Sequence, residues 1–528
     1  MYPPQTSLIP VTVALVRFFE ERGFSAFFIN YPYWYLSSTP YRYLTGPIIP
    51  IVSVTLHKLF SNVSLFDITI WLVIVTYLFS AFGWLVLFNR LTGYRSNKFT
   101  IYHLPFTIFL IILPWRLFSA LALNEASFTI ARNFLPWVLL AFWGAIGGKT
   151  NRTNKTYRNI IIAVISLVLL LLINTSILPI FLVGLTSLVL ASSFKEGKFR
   201  GIIRKVKLSL SLILYSLLLV TLWYTPGYWW TLFTNPSIGG ASGVKVFFRI
   251  LDLLKASIPL ILAVIAVYFS GKIKNRLAVF VLIWILSFGF LTLFRFIGDP
   301  DFWMDWTTWF YELEVGVALL LFNFTLSISG RLKTRNDKFQ ITNDQLNSKV
   351  KFQNSKPQVK SQNYLLLSFT FILLLLSFYL TWRIHLALGK PALVSQEIPQ
   401  GVQSLEKLAE IAGDGSTSLT TSRVFLSGST VFWANALYNI YQLRGGRDQV
   451  AVHRDWDKAA YELREGGDSE ASIRWLHELE ISYVLVHGPK SGEFYHDFKS
   501  INKWRDIGRV VWEADGDIIY EISAKEQE

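Results

Sequence analysis

The chain has 528 residues, of which 52% are hydrophobic and 16% aromatic, and it carries a formal net charge of +15. This apolar composition indicates an integral membrane protein. In such a protein the positive charge sets the orientation in the bilayer and binds anionic lipid rather than nucleic acid. The sequence contains no cysteine, which excludes disulfides, thiol chemistry and cysteine-ligated metals.

Residues 1–64 precede the first segment that is long enough to span a bilayer. Residues 10–23 place Val11, Leu15 and Phe18 on one face, which predicts an amphipathic helix lying in the membrane interface. An aromatic, turn-rich stretch follows, and then an apolar run from Ile48 to Phe60 that is too short to span. An external loop with two such helices normally follows a transmembrane helix. The pattern therefore predicts that a first helix is missing, through a misplaced start codon or a true deletion.

About ten later segments are predicted to cross the bilayer as helices, which takes roughly 20 apolar residues each. The fourth and fifth are short and are expected to form a tight hairpin through Asn174. The segments are Leu65–Phe88, Thr100–Leu121, Phe128–Gly147, Ile160–Ile173, Ile177–Ala191, Leu208–Tyr224, Leu254–Ser270, Leu277–Phe294, Thr307–Ser329 and Tyr364–Trp382.

Nearly every second loop between these segments is basic. The first such loop contains Arg90, Arg95 and Lys98, and four more follow along the chain. The positive-inside rule assigns all five loops to the cytoplasm. We therefore expect a protein of the cytoplasmic membrane with both termini outside the cytoplasm.

The last third of the chain divides into three parts. Residues 330–363 are rich in Asn, Gln, Ser and Lys and predict a disordered basic cytoplasmic linker. Residues 364–384 form the last transmembrane helix, and residues 385–528 a soluble α/β domain outside the cytoplasm. For this domain the pattern predicts strands at Arg423–Leu426, Ile481–His487 and Ile518–Ile522, and helices at Gly401–Ala412, Asp455–Arg464 and Ser469–Leu479.

Four stretches of the sequence carry a resemblance to a known superfamily: Tyr31–Pro47, ALNEASFTIARNFLPW (Ala122–Trp137), WYTPGYWWTLFTNPSIGG (Trp223–Gly240) and WLHELEISYVLVHG (Trp475–Gly488). Together with the predicted architecture, they resemble the GT-C glycosyltransferase superfamily. Within it, the chain most resembles bacterial membrane proteins labelled 6-pyruvoyl-tetrahydropterin synthase-related, although no His triad suits pterin chemistry. The resemblance implies an all-α polytopic membrane bundle with a C-terminal soluble α/β domain.

The resemblance also implies a reaction: transfer of a sugar from a polyprenyl-phosphate carrier to a cell-envelope glycan, lipid or protein outside the cytoplasm. Such a reaction needs a carboxylate as general base for the acceptor hydroxyl. It also needs Arg, Lys or a metal to stabilise the departing phosphate. The family's base lies early in the first external loop, in a stretch that this chain lacks.

Several external residues are candidates for these roles. Glu125, Asp305 and Glu314 are the candidate acid, base or metal-ligating residues, and Arg132 and Arg295 the candidate phosphate-binding residues. Each also has a plainer interpretation. Glu125 can form a loop ion pair with a nearby arginine, and Asp305 can be solvated loop charge together with Asp299 and Asp301. Glu312 and Glu314 can pair with Arg295 as interfacial charges.

Aromatic side chains are abundant in the predicted external loops. Sugar rings stack on such side chains, so a carbohydrate groove is one interpretation, and an aromatic belt at the membrane interface is the other. The candidate substrate-binding residues are Trp34, Tyr41, Trp229, Trp230 and Trp306.

Three questions stay open at this point. No cofactor is certain; a divalent metal is possible at the aspartates Asp299, Asp301 and Asp305, whereas His487 and His496 are interpreted as surface residues. The loop around Arg444 either binds a phosphate or glycan or is pinned by Arg–Asp pairs. The alternatives to a glycosyltransferase are an inactive relative that binds lipid-linked glycan or scaffolds envelope assembly, and a transporter or flippase.

Overall fold

The computed structural model of the chain is mostly helical, with several apolar helices and a small C-terminal sheet. It describes residues 1–35, 40–92, 110–111, 113–147, 153–193, 199–234, 245–270, 276–297, 307–321, 372, 375, 378–387, 392–413, 422–446 and 455–522.

Helices make up the N-terminal segment and the bundle. The N-terminal segment contains α1 (Ile9–Arg22), α2 (Tyr41–Leu44) and α3 (Ile48–Leu59). The bundle contains α4 (Leu65–Thr92), α5 (Pro114–Ala122), α6 (Ala126–Ile146), α7 (Thr153–Ile173), α8 (Leu178–Ser193), α9 (Phe199–Val220), α10 (Pro226–Thr234), α11 (Lys245–Ser270), α12 (Arg276–Ile297), α13 (307–321) and α14 (378–387).

Within the described residues, four helices are long and apolar enough to cross a membrane: Leu65–Thr92, Ala126–Ile146, Thr175–Ser193 and Arg276–Leu293. Each of these four helices overlaps one of the predicted spans. Their length and apolar composition indicate a membrane protein. The tight hairpin is confirmed, because α7 ends at Ile173 and a 3-10 turn leads directly into α8. The total of ten spans stays a prediction, since much of the second, ninth and tenth segments and the linker 330–363 lie outside the described residues.

The C-terminal domain is built on a five-stranded mixed sheet in the order β2-β1-β3-β5-β4. Strands β1, β2 and β3 are parallel, whereas β5 is antiparallel to both β3 and β4. The strands are β1 (Arg423–Phe425), β2 (Tyr441–Gln442), β3 (Ile481–His487), β4 (Gly508–Ala514) and β5 (Asp517–Ile522). The helices are α15 (Ser404–Ala412), α16 (Thr430–Leu437), α17 (Trp456–Arg464), α18 (Ser469–Glu478) and α19 (Trp504–Ile507).

Helix α1 joins the bundle to the C-terminal domain. The residues of this helix from Ile9 to Phe19 are buried apart from Arg17, and it packs against α3 and α4 on one side and α16 on the other. The sequence predicted an interfacial helix here. In the structure its apolar face is covered by protein, namely by α3, α4 and α16.

The N-terminal segment and the C-terminal domain lie at the same end of the bundle. Tyr2 and Ser395 exchange two backbone hydrogen bonds, and the Trp34 indole donates to the Asn435 side chain over 2.8 Å. Basic residues mark the other end, where Lys205 donates to the Ser192 carbonyl and Arg276 lies over the Trp143 ring. The orientation of the two ends relative to a membrane stays a prediction.

Candidate functional site

The candidate site begins at Glu125, the residue that precedes α6. This half-buried carboxylate lies at the N-terminus of the helix, where the helix dipole stabilises a negative charge. Its Oε1 accepts a hydrogen bond from Thr12 of α1 over 3.4 Å and a short one from the Ser127 hydroxyl. Ser127 in turn accepts from the Asn174 amide over 2.8 Å. Three separate segments therefore orient one carboxylate at the end of the bundle that faces the C-terminal domain.

Deeper along α6 lies a cluster of four charged side chains and one tyrosine that we call the buried arginine network: Arg116, Arg132, Tyr311, Glu312 and Glu314. Each is at most 2% exposed. Arg132 follows Glu125 by seven residues on the same helix, which places it about 10 Å further into the bundle. Charges so deep in an apolar bundle are costly and usually mark a functional path or pair with one another.

Arg132 is the centre of this network. Its Nε lies 3.0 Å from Glu312 Oε1, and its Nη2 donates to the Thr308 carbonyl over 3.0 Å. The guanidinium lies over the Tyr311 ring, 3.9 Å from the ring centroid, in a cation–π contact strengthened by desolvation. The sequence had offered Arg295 as the partner of Glu312, but the structure pairs Glu312 with Arg132.

Arg116 lies on the other side of Tyr311. Its Nη2 donates to the Tyr311 hydroxyl over 3.2 Å, and its Nη1 to the Leu110 carbonyl over 2.9 Å. Glu314 Oε2 accepts from the backbone N–H of Arg116 over 3.0 Å. The Tyr311 hydroxyl completes the chain of contacts by donating to Asn133 over 3.3 Å. Tyr311 thus separates and positions the two guanidinium groups.

Two donors of the network remain unused. Within the described residues, Arg132 Nη1 and Arg116 Nε have no hydrogen-bond partner. Leaving such a buried donor unsatisfied costs about 1–3 kcal/mol, and more when the group is charged. Each of the two guanidinium groups therefore retains one N–H that can donate to an acceptor oxygen, which is the kind of hydrogen bond that arginine makes to a phosphate.

The structure places the other predicted site residues as follows. Trp34 and Tyr41 are buried, and the Tyr41 hydroxyl donates to the Leu15 carbonyl over 2.6 Å. Trp230 is 71% exposed and Trp229 is half-buried beside it. Asp299, Asp301, Asp305 and Trp306 lie outside the described residues, as does the side chain of Arg295.

The C-terminal domain contains a second polar cluster around Asp497. Its Oδ2 accepts from the Ser427 hydroxyl over 2.5 Å and from the Gly428 amide over 3.1 Å, and Arg444 and Arg464 lie 3.7 and 3.5 Å away. Burial alone would raise the pKa of Asp497, but the Ser427 hydrogen bond and the two arginines outweigh it and hold that pKa below its ordinary value. Arg444 is thus paired with Asp497, whereas residues 447–454 of the loop lie outside the described residues.

His487 is not a surface residue as the sequence suggested. It is 1% exposed, and its Nδ1 lies 2.8 Å from Asp517 Oδ1 on the neighbouring strand. Among the described residues, no group of three His, Asp or Glu side chains could hold a metal ion. A metal at the aspartates 299–305 stays a prediction.

Sequence reasoning missed Tyr311, Asn133 and Thr12 as parts of the site. All three carry a hydroxyl or amide in an otherwise apolar helix. This pattern is common and does not indicate a functional site. Arg116 did carry a signal, since an arginine inside the apolar stretch LPWRLFSALA needs a buried partner.

No family model and no curated protein matches the sequence. Among solved structures, the chain is similar to the archaeal oligosaccharyltransferase AglB from Archaeoglobus fulgidus, in complex with an inhibitory peptide and a dolichol-phosphate. That similarity has a TM-score of 0.46 and 11% identity, and covers 98% of this chain and 70% of that one. It is also similar to ArnT from Cupriavidus metallidurans in the apo state, with a TM-score of 0.43 and 13% identity over 98% of this chain and 93% of that one. Neither similarity assigns a role to a residue.

Proposed function

We propose that the chain is a membrane glycosyltransferase of the GT-C type. It would transfer a sugar from a polyprenyl-phosphate carrier to a cell-envelope acceptor at the outer face of the cytoplasmic membrane. The observation that carries the proposal is the pair of buried guanidinium groups, Arg116 and Arg132, each with an N–H that lacks a partner within the described residues. The resemblance of Ala122–Trp137 to the superfamily supports it.

The positions of Glu125 and Arg132 suit the two halves of this reaction. The acceptor hydroxyl gives its proton to the Glu125 carboxylate while its oxygen bonds to the anomeric carbon of the donor sugar. The bond from that carbon to the phosphate oxygen breaks, and its electron pair leaves with the polyprenyl phosphate. Arg132, deeper in the bundle, stabilises the charge that develops there. Asp305 is the second candidate for an acid or metal-ligating role.

The test uses the full chain in lipid nanodiscs with a panel of polyprenyl-phosphate-linked sugars, and measures release of polyprenyl phosphate. Glu125→Gln keeps an acceptor for Thr12 and Ser127 but removes the base, so we expect turnover to fall about 10²–10⁴-fold. Glu470→Gln, at an exposed position of α18, is the matched control and should turn over normally. Equal turnover in Glu125→Gln and the wild type would refute the assignment of the base.

A second candidate function is a catalytically inactive relative that binds lipid-linked glycan. It is favoured by one observation: Arg132 and Glu312 neutralise each other at 1% exposure, as in a purely structural ion pair. The same assay separates the two functions. A binder retains polyprenyl phosphate in native mass spectrometry but releases none from any sugar donor, with or without Glu125.

A further inference from the structure

A pocket of about 320 Å³ lies where the N-terminal segment meets the C-terminal domain. Its volume falls at the lower end of the roughly 300–1,000 Å³ that small-molecule sites occupy. The walls come from the N-terminal residues 3–6, from residues 392–400 and from the loop after β3. The side chains that give it chemical character are Gln5, Thr6, Ser395, Glu397, Gln400 and Phe494.

The chemistry of these walls suits hydroxyl groups better than phosphates. Amides and hydroxyls both donate and accept hydrogen bonds, and Glu397 adds a strong acceptor. No described residue that lines the pocket is a lysine, arginine or histidine, so an anionic ligand would find no compensating charge. The Phe494 ring is 37% exposed and offers an apolar face to the flat side of a sugar ring.

The pocket is built from parts that fix one another. With its amide oriented to satisfy its neighbours, Gln5 accepts from the Phe494 amide over 3.1 Å and donates to the Gly492 carbonyl over 3.2 Å. Gly401 allows this close approach, because a Cβ there would lie 2.2 Å from the side-chain amide of Gln5. The backbone at Phe494 is therefore held in place before a ligand arrives, which lowers the entropic cost of binding.

A lining residue of the pocket also contacts the segment that precedes the proposed base. The hydroxyl of Thr6, a lining residue, donates to the Ala122 carbonyl over 2.8 Å, and Ala122 precedes Glu125 by three residues. Further along the same N-terminal segment, Thr12 donates to Glu125 itself. The same N-terminal segment therefore lines the pocket and contacts both Ala122 and Glu125.

We propose that this pocket binds a neutral saccharide unit, and that this unit belongs to the acceptor glycan. That this saccharide unit belongs to the acceptor rests on the proposed function. The pocket, whose described lining contains Glu397 but no cationic residue, would take the acceptor, and the buried arginine network the phosphate of the donor. The two substrates are then separated by charge.

The experiment measures binding of neutral di- and trisaccharides of hexose and N-acetylhexosamine to the full chain in nanodiscs, by saturation-transfer NMR and calorimetry. We expect at least one of them to bind, and affinity to fall at least tenfold in Phe494→Ala and Glu397→Gln. Tyr461→Ala and Glu410→Gln change exposed residues elsewhere in the same domain and should bind like the wild type. Matching melting temperatures show that the variants fold.

Each outcome has one meaning. The proposal is overturned if no neutral saccharide binds, if Phe494→Ala binds equally well, or if the pocket takes up a peptide instead. Donor cleavage is measured separately. If the wild type cleaves no donor while Phe494→Ala loses saccharide binding, the glycosyltransferase proposal fails and the saccharide pocket stands. If cleavage depends on Glu125 but binding ignores Phe494, the pocket alone fails.

Discussion

Replacing Arg132 by methionine would leave the Glu312 carboxylate buried without its cation. At the observed separation of 3.0 Å, an effective dielectric constant of about 20 gives an attraction of about 5–6 kcal/mol. Part of that attraction only offsets the cost of burying the two charges. Removing one partner of a buried pair costs about 3–5 kcal/mol, and we expect Arg132→Met to lose that much free energy of unfolding.

The double variant Arg132→Met, Glu312→Met makes this prediction specific. It removes both charges while keeping the volume apolar, so its free energy of unfolding should return to within about 1–2 kcal/mol of the wild type. Equilibrium unfolding in mixed detergent micelles measures all three proteins. If Arg132→Met is as stable as the wild type, or if the double variant is no better than the single one, the two charges do not depend on each other as described. The double variant should bind polyprenyl phosphate weakly even though it is stable.

Three further predictions concern packing, hydrogen bonding and pH. Gly46→Ala should destabilise the protein by more than the roughly 1–3 kcal/mol usual for overpacking, because its Cβ would lie 1.7 Å from the Leu172 carbonyl oxygen. Gly144→Ala is the control and should not destabilise the protein, because its nearest neighbours are 3.7 Å away. Thermal unfolding of both variants measures the difference. Tyr311→Phe keeps the ring between the arginines but leaves two buried polar groups without their partner, so we expect a loss of about 1–3 kcal/mol in the same measurement. The lowered pKa of Asp497 means that its stabilisation is present above the ordinary aspartate pKa of about 4 and is lost as pH falls through the lowered value. Asp497→Asn should therefore flatten the acid-induced fall in stability seen by circular dichroism between about pH 5 and 2.

The sequence predicted elements well where local pattern decides structure. The run ISYVLVH is rich in β-branched and apolar residues, which favour a buried strand, and it forms β3 as expected. The helix at Thr430–Leu437 was missed, since its valine, phenylalanine and tryptophan favour a strand by propensity, and burial against α1 overrides that preference. Strand β4 was missed because its apolar run, Val510–Trp512, is only three residues long and the sheet leaves much of the strand exposed.

The candidate site was only partly predictable. Glu125, Arg132 and Glu314 attracted attention because they are charges in apolar surroundings. That Arg132 pairs with Glu312, 180 residues away, depends on how α6 and α13 pack and cannot be derived from spacing. Trp34 and Tyr41 were expected to contact sugar, yet both are buried. The sequence shows that these side chains are aromatic, but not that a domain from the other end of the chain covers them.

The hydrogen bond between Trp34 and Asn435 joins residues 401 positions apart, and that distance constrains how the protein is made. During synthesis the first 35 residues emerge long before the strands and helices that they will pack against. They must wait, with Tyr31, Tyr33 and Trp34 exposed, until nearly all of the polypeptide has been inserted and its last part released on the same side. Contacts of such long range form slowly and late. A polypeptide that stops after residue 387 would therefore leave Tyr33 and Trp34 without the C-terminal domain that they pack against.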